Sequence, residues 1–464
     1  MKDWTPQHLA AGAGASLAGT ARSDGGPDRV AIDSRQAEPG VLFVGLPGRR
    51  RDGGEFAAAA LKAGAWGVLV SPAHVETARE AGQGIVLVAD DPLKALQSLA
   101  TAWRRELGSE GMQVIGVTGS TGKTSTKDLL LAVVGPHRRT VASRANFNTE
   151  IGVPLEILAA PAGTEVLVLE MAMRGRGQIA ELAAIAEPDV GVIVSIGPVH
   201  LELLGTIENI AAAKAELIAG LAPGATAIVP AGERLLEPHL RDDVTTVTFG
   251  ASGDVRTTRE SAERMTIDAQ GERIELGVDF PQAHLRTDLL AAVAAARALG
   301  VRPSGRVELA LTPGRGESVA VAGGITVIDG CYNANPMSMR AALTDLADTA
   351  ARTGAQRRVA VLGDMLELGE GRRDFHLALG ELANEAGVDL LITVGPEAAA
   401  IAERYPGESR VLDDAAQAAE AVPGLLRAGD LVLVKGSLGV GLRAVTRALG
   451  VSPGEPAATT GGRR

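Results

Sequence analysis

Residues Val114-Ile115-Gly116-Val117-Thr118-Gly119-Ser120-Thr121-Gly122-Lys123-Thr124 read as a short apolar strand running into a phosphate-binding loop. The glycines let backbone N–H groups turn toward an anion. Lys123 can reach outer phosphates, and Thr124 can place its hydroxyl on Mg²⁺. Lys127 to Val134 is apolar enough to be the helix whose positive end holds those phosphates. The strict pattern has a glycine five places before Gly122. Val117 stands there and Gly116 one earlier, which makes this a compact T-G-x-x-G-K-T variant. The alternative is an ordinary glycine-rich strand-to-helix turn. Lys123 is expected on an exposed loop.

Short apolar runs alternate with helical stretches on both sides of this loop. Before it, Val41–Val44, Phe56–Ala63 and Trp66–Val70 suggest strand, helix, strand. After it, Val166–Leu169, Val190–Ile196 and Ala225–Val229 are strand candidates of a buried, largely parallel sheet. Leu289–Leu299 is rich in helix formers and is stopped by Gly300. From Pro313 onward, strands at Ile325–Ile328, Val359–Leu362, Leu390–Val394 and Leu431–Val434 alternate with helices at Met337–Ala351 and His376–Ala386. That part reads as a doubly wound α/β domain. The expected division is 1–107, 108–313 and 314–452, followed by a disordered Pro/Gly/Thr/Ala-rich tail over 453–464.

The bulk numbers agree with this class. The chain has 464 residues, 46% of them hydrophobic, so two to four globular domains are expected. With aromatics at 2%, the core must be built from Val, Leu, Ile and Ala. A net charge of −11 argues against a broad nucleic-acid surface. Cys331 is the single cysteine, which excludes an internal disulfide and suits a reducing compartment. No secretory signal or membrane span is visible, so the expected location is the cytoplasm.

Several residues at strand ends could do chemistry. Glu170 closes Val166–Leu169 at the edge where α/β sheets bind ligands, and could hold Mg²⁺ with Thr124. It could equally be a solvated strand-end carboxylate. His200 follows another strand, and a lone histidine is more often structural than a ligand. Lys214, taken alone, is an ordinary helix-surface lysine near Glu216. Asn146 and Asn148, taken alone, belong to a polar loop. Tyr332-Asn333-Ala334-Asn335-Pro336 offers hydrogen-bonding amides, or merely an Asn-Pro turn that starts a helix. Lys435-Gly436-Ser437 could bind an anion or simply end a strand.

Taken together and in order, these segments resemble the Mur ligases, ATP-dependent amide-forming enzymes of peptidoglycan precursor synthesis. The N-terminal signature is Asp33-Ser34-Arg35, Pro39 to Val44 and Arg51-Asp52-Gly53. The central one is the phosphate loop, Asn146 to Pro154, Glu170 to Ile179, His200-Leu201-Glu202 and Lys214-Ala215-Glu216. The C-terminal one is Gly314-Arg315, Tyr332 to Pro336, Gly363 to Gly369 and Lys435-Gly436-Ser437. The M-x-M-R-G-x-G-x-I and Y-N-A-N-P runs point to the branch that adds D-Ala-D-Ala to a UDP-N-acetylmuramoyl-tripeptide.

The resemblance implies three α/β domains: one binding the UDP-sugar, a central ATPase, and a Rossmann-like C-terminal domain. It implies ATP and Mg²⁺ as cofactors and a monomer. Thr118 to Ser125, Asn146, His284 and Arg315 would contact the nucleotide. Asp33, Ser34, Arg35, Asn148, Tyr332, Asn333, Asn335 and Lys435 would contact substrate. Thr124 and Glu170 would hold the metal, with His200 serving a second metal position. Lys214 would join them if it is carbamylated, which gives it the oxygen donors Mg²⁺ needs. Lys123, Lys214, His200 and Arg315 would be catalytic. The sequence departs from the family pattern at Pro230 to Glu233, at Gln282 to Asp288, at Gly330 and at Leu438. By analogy the first three places contact adenine and ribose. The phosphate and metal positions are intact.

Overall fold

The computed structural model of the protein describes residues 1–18, 25–144 and 146–451, so the expected tail lies outside the described residues. Three sheets organise the chain. The N-terminal sheet holds β1 (Ser16–Leu17), β2 (Arg29–Ala31), β3 (Val41–Val44), β4 (Gly67–Val70) and β5 (Ile85–Val88) in the order β1-β5-β4-β3-β2. All its pairs are parallel except β1 with β5. β3 and β4 are buried along their whole length, as a strand covered on both faces must be.

Helix Pro92–Ser109 follows. Asp91 caps it, accepting from the backbone N–H groups of Leu93 and Lys94, and a proline opens its first turn. Its apolar face joins the N-terminal and central parts in one core, where Trp103 meets Trp4 edge-on. Arg104 fastens the other side with Nη2 on Glu187 O and Asp189 Oδ2, at 2.7 and 2.9 Å.

The central sheet has ten strands: β6 (Gln113–Thr118), β7 (Thr140–Ala142), β8 (Val166–Glu170), β9 (Val190–Ile193), β10 (Thr226–Pro230), β11 (Thr245–Phe249), β12 (Val255–Glu260), β13 (Arg264–Ala269), β14 (Glu272–Val278) and β15 (Gly305–Val307). Their order is β15-β14-β13-β12-β11-β10-β9-β6-β8-β7. The half around the phosphate loop is parallel, whereas β12, β13 and β14 form an antiparallel meander. Several expected elements differ in length, the helices expected from Lys127 and His376 starting at Lys123 and Arg372. The strand expected over Val190–Ile196 stops at Ile193, because Ser195 turns toward the phosphate loop. The helix expected from Leu289 starts at Ala283.

The C-terminal sheet holds β16 (Glu317–Val321), β17 (Ile325–Gly330), β18 (Arg357–Gly363), β19 (Leu390–Val394), β20 (Glu408–Leu412) and β21 (Asp430–Lys435) in the order β16-β17-β21-β18-β19-β20. Only β16 is antiparallel to its neighbour. Helices Pro336–Thr353 and Arg372–Glu385 cover one face. The chain therefore has the three α/β domains expected, built on aliphatic cores with few aromatics.

Candidate active site

The phosphate loop leaves β6 at Thr118, and helix Lys123–Val134 begins at once. Gly122 has φ +80°, and a Cβ there would come 2.7 Å from both Val194 Cγ1 and Asp288 Oδ1, so only glycine fits. The loop is braced from the β9 exit. Thr121 N donates to Ser195 Oγ at 2.9 Å, and Ser120 N to Ser195 O at 2.9 Å. Ser120 Oγ donates to Gly197 O and accepts from Gly197 N, at 3.0 and 2.9 Å. Lys123 is not on an exposed loop. It is the first residue of the helix, half-buried, with Nζ on Gly119 O at 2.7 Å. Burial, with Arg315 nearby, lowers its ammonium from the usual lysine value, opposed by Glu170.

Glu170 ends β8 beside this loop and is only 5% exposed. Thr124 Oγ1 donates to its Oε2 at 2.8 Å, and Asn148 Nδ2 to its Oε1 at 3.0 Å. Burial alone would raise this carboxyl. The charges of Lys123 and Arg315 and the two hydrogen bonds outweigh it and hold the group below the usual range. It is a carboxylate with a defined orientation, not a solvated strand end. Asn148 orients it here.

Lys214 is 2% exposed, on the inner face of helix Ile207–Ala219. The helix-surface reading is therefore wrong. Glu216 is engaged elsewhere, accepting from Gly177 N and Ala180 N at 2.7 and 3.1 Å. Burial, and then the charge of Lys123, lowers the Lys214 amine well below the usual lysine value.

The other candidates join the central domain to the C-terminal one. His200 takes a left-handed backbone, φ +54°, and its Nδ1 meets Glu367 Oε2. Burial lowers its imidazole, with Glu367 opposing. Arg174 Nε also faces Glu367, at 3.7 Å. Tyr332 donates its hydroxyl to Asn146 Oδ1, and the Arg315 guanidinium lies 3.8 Å from the Tyr332 ring centroid. Met337 packs onto Gly197, where any Cβ would collide with its sulfur. Sequence reasoning assigned no role to Glu367, Ser195 or Met337. Glu367 lay within a quoted motif, but nothing local shows that its partner is His200.

Two asparagines use their side-chain oxygens locally. Asn335 caps helix Pro336–Thr353 in a capping box, accepting from Ser338 N at 2.9 Å. Asn333 Oδ1 accepts from Ala334 N, and its carbonyl accepts from Lys435 Nζ at 2.8 Å. Lys435 is buried, and burial with the charge of Arg315 brings its ammonium to about 8. His284 lies exposed on the first turn of helix Ala283–Ala298. Asp33, Ser34 and Arg35 form their own turn beyond β2. Asp33 caps it and grips Arg35 Nη2 at 2.6 Å, which holds its carboxyl at about 2.

Three family models match along the chain: "Mur ligase family, catalytic domain" over residues 28–104, "Mur ligase middle domain" over 117–296, and "Mur ligase, glutamate ligase domain" over 314–438. The UDP-N-acetylmuramoyl-tripeptide–D-alanyl-D-alanine ligase of Bacillus subtilis is 36% identical over 435 residues, covering 91% of this chain and 93% of its own length. The chain belongs to the Mur ligase family. The ligase of the same name from Mycobacterium tuberculosis is 38% identical over 467 residues, with 90% and 91% covered. Among solved structures, MurF from Acinetobacter baumannii superimposes on this Mur ligase with a TM-score of 0.81 at 28% identity, covering 96% and 98% of the two chains. MurF ligase from Thermotoga maritima in complex with ADP gives a TM-score of 0.77 at 28% identity, covering 91% and 96%.

Proposed function

We propose that this Mur ligase uses ATP to join D-alanyl-D-alanine to a UDP-N-acetylmuramoyl-tripeptide in peptidoglycan precursor synthesis, acting as a cytoplasmic monomer. The observation that carries the reading is one cluster: Lys123 and Thr124 at the phosphate loop, Glu170 against Thr124, and Arg315 close enough to shift both Lys123 and Glu170. Relatives bearing that activity match nearly end to end. Residues 1–107 would bind the UDP-sugar, 108–313 the nucleotide, and 314–452 the acceptor. Among the described residues no helix is long and apolar enough to cross a membrane.

The tripeptide carboxylate attacks the γ-phosphorus of ATP, ADP leaves, and an acyl phosphate forms. The amino group of D-Ala-D-Ala then displaces phosphate and gives up a proton. Lys123 and Arg315 neutralise charge on the transferring phosphoryl group, and the backbone N–H groups of Gly119, Gly122 and Lys123 would cradle the phosphates, those of Ser120 and Thr121 being held by Ser195. Thr124 and Glu170 are hard oxygen donors side by side and fit Mg²⁺. When bound, the ion would offset phosphate charge. His200 and Lys214 as they stand do not make an oxygen site, and no group of three or more His, Cys, Asp or Glu side chains suited to a metal occurs among the described residues. Lys214 fits only as its carbamate. Its buried, readily neutral amine is the form that adds CO₂. The contacts of Glu367 and Tyr332 join the two sides of the cleft, and closure there would help to shield the acyl phosphate from water.

The test is phosphate release from ATP with UDP-N-acetylmuramoyl-tripeptide, with and without D-Ala-D-Ala, and mass analysis of the product. Ligation that needs all three substrates is expected. Release that ignores D-Ala-D-Ala but responds to another amine would point to a Mur ligase with a different acceptor.

A further inference from the structure

Helix Ala283–Ala298 presses one carboxyl group against the phosphate loop. Asp288 is 5% exposed, and its Oδ2 has no hydrogen-bond partner. A Cβ built on Gly122 would lie 2.7 Å from Asp288 Oδ1 and 3.0 Å from Oδ2, so the carboxyl fills the space where the residue before Lys123 would otherwise carry a side chain.

No ion pair reaches Asp288 among the described residues. Across the contact with helix Lys123–Val134, Lys123 Nζ is turned to Gly119 O and Lys127 is paired with Asp128. On its own helix, Arg286 is paired with Glu260, Arg297 with Glu272, and His284 is exposed a turn away. β9, β10 and β11, which pack on this helix, carry no titratable side chain. On β12 and β13, Arg256 is paired with Asp268, and Arg259 and Arg264 are exposed. Burial, the one influence on the group, pushes its carboxyl well above the usual aspartate value. A bound polyphosphate adds several negative charges to the same loop, and two like charges in a dry site resist coexisting.

We infer that Asp288 serves nucleotide binding as a neutral carboxylic acid, offering its hydroxyl as a donor beside the phosphate loop, so that nucleotide affinity is linked to one proton on this residue. The inference rests on the phosphate loop being the nucleotide site. Once Asp288 ionises, affinity falls by up to about tenfold for each further pH unit.

The experiment is calorimetric titration of Mg·ADP into the full chain from pH 6.5 to 9.5, for wild type and Asp288→Asn, in buffers of differing ionisation enthalpy. Asparagine keeps the shape and a donor but has no proton to lose. Lys123, Lys214 and Lys435 move both curves alike, so the signal is their ratio. The expected ratio of affinities is near one at pH 6.5 and grows to tenfold or more in favour of Asp288→Asn at the alkaline end. There the wild type also takes up a proton on binding, which the buffer series reads without any variant. A ratio constant across the range overturns the inference. So does a variant already tenfold tighter at pH 6.5, because Asp288 would then be a carboxylate throughout. Absence of wild-type proton uptake at every pH overturns it too, even if the variant misfolds. Failure of the wild type to bind Mg·ADP at any pH would instead remove the phosphate-loop reading itself.

Discussion

Asp345 lies on the inner face of helix Pro336–Thr353, buried, with Oδ1 lacking a hydrogen-bond partner. Gln282, at the head of the central helix Ala283–Ala298, faces it across the domain junction, with Arg352, Asp348 and Thr349 on its own helix. Burial raises its carboxyl from 3.8 to about 6. A carboxyl raised on folding binds its proton more tightly in the native state. Stability is therefore fullest below about pH 4, falls as pH rises from 3.8 to about 6, and stays reduced above that. The gap corresponds to roughly 3 kcal/mol at pH 7 to 8. Asparagine has the same shape and no charge, and its N–H₂ can meet Gln282 Oε1, which also lacks a partner. Asp345→Asn should stabilise the protein by about 1–3 kcal/mol at pH 7.5. That is a rise of roughly 3–9 °C in the transition of the C-terminal domain. The gain should shrink toward zero by pH 4. Scanning calorimetry of both proteins at pH 4, 6 and 7.5 is the assay. No gain at pH 7.5, or an equal gain at pH 4, would refute the reasoning.

Lys123→Ala should lower ligation by about 10² to 10³-fold, with the fold intact because the side chain is only half-buried; near-normal turnover in the folded variant would remove Lys123 from the phosphoryl-transfer step. Lys214→Ala should be inactive and partly rescued by acetate if a carbamate normally supplies the oxygen, whereas full activity with unchanged Mg²⁺ dependence would deny it any such role. Glu367→Gln removes the charge shared by His200 and Arg174, and should lower kcat/KM for the acceptor about tenfold while leaving Mg·ADP affinity unchanged; an equal loss of nucleotide affinity would place Glu367 in the nucleotide site instead.

The parts of the fold legible in the sequence are those whose signal is local. A strand buried on both faces reads as an unbroken apolar run, and β3, β8, β18 and β21 read that way. The meander β12–β14 escaped because its strands alternate and carry many charges, as in Val255-Arg256-Thr257-Thr258-Arg259-Glu260. The Gln270-Gly271 turn, with φ +54° and +86°, was the available hairpin signal. Site residues divide the same way. Lys123, Thr124 and Glu170 sit where a loop or strand end puts them, so position alone was informative. The helical spacing around Lys214 cannot say which face turns inward, so its burial was invisible. Asn335 looked like a ligand, yet the simpler reading of an Asn-Pro helix start accounts for its side chain.

What no local pattern could show is that two sheets aim their carboxyl ends at one cleft. β6 delivers Thr118, β8 delivers Glu170, and the β9 exit delivers Ser195 and His200. From the other side β17 delivers Tyr332, β18 delivers Glu367 and β21 delivers Lys435. Each sheet thus presents its usual ligand edge, and the pairs Asn146–Tyr332 and His200–Glu367 form only when the edges meet. Five non-glycine residues have positive φ among those described, and three of them, Asn146, His200 and Glu367, lie in those pairs. Such conformations persist where surrounding contacts over-determine them. Both pairs need residues from each domain, so assembly of the site is tied to the meeting of the two edges.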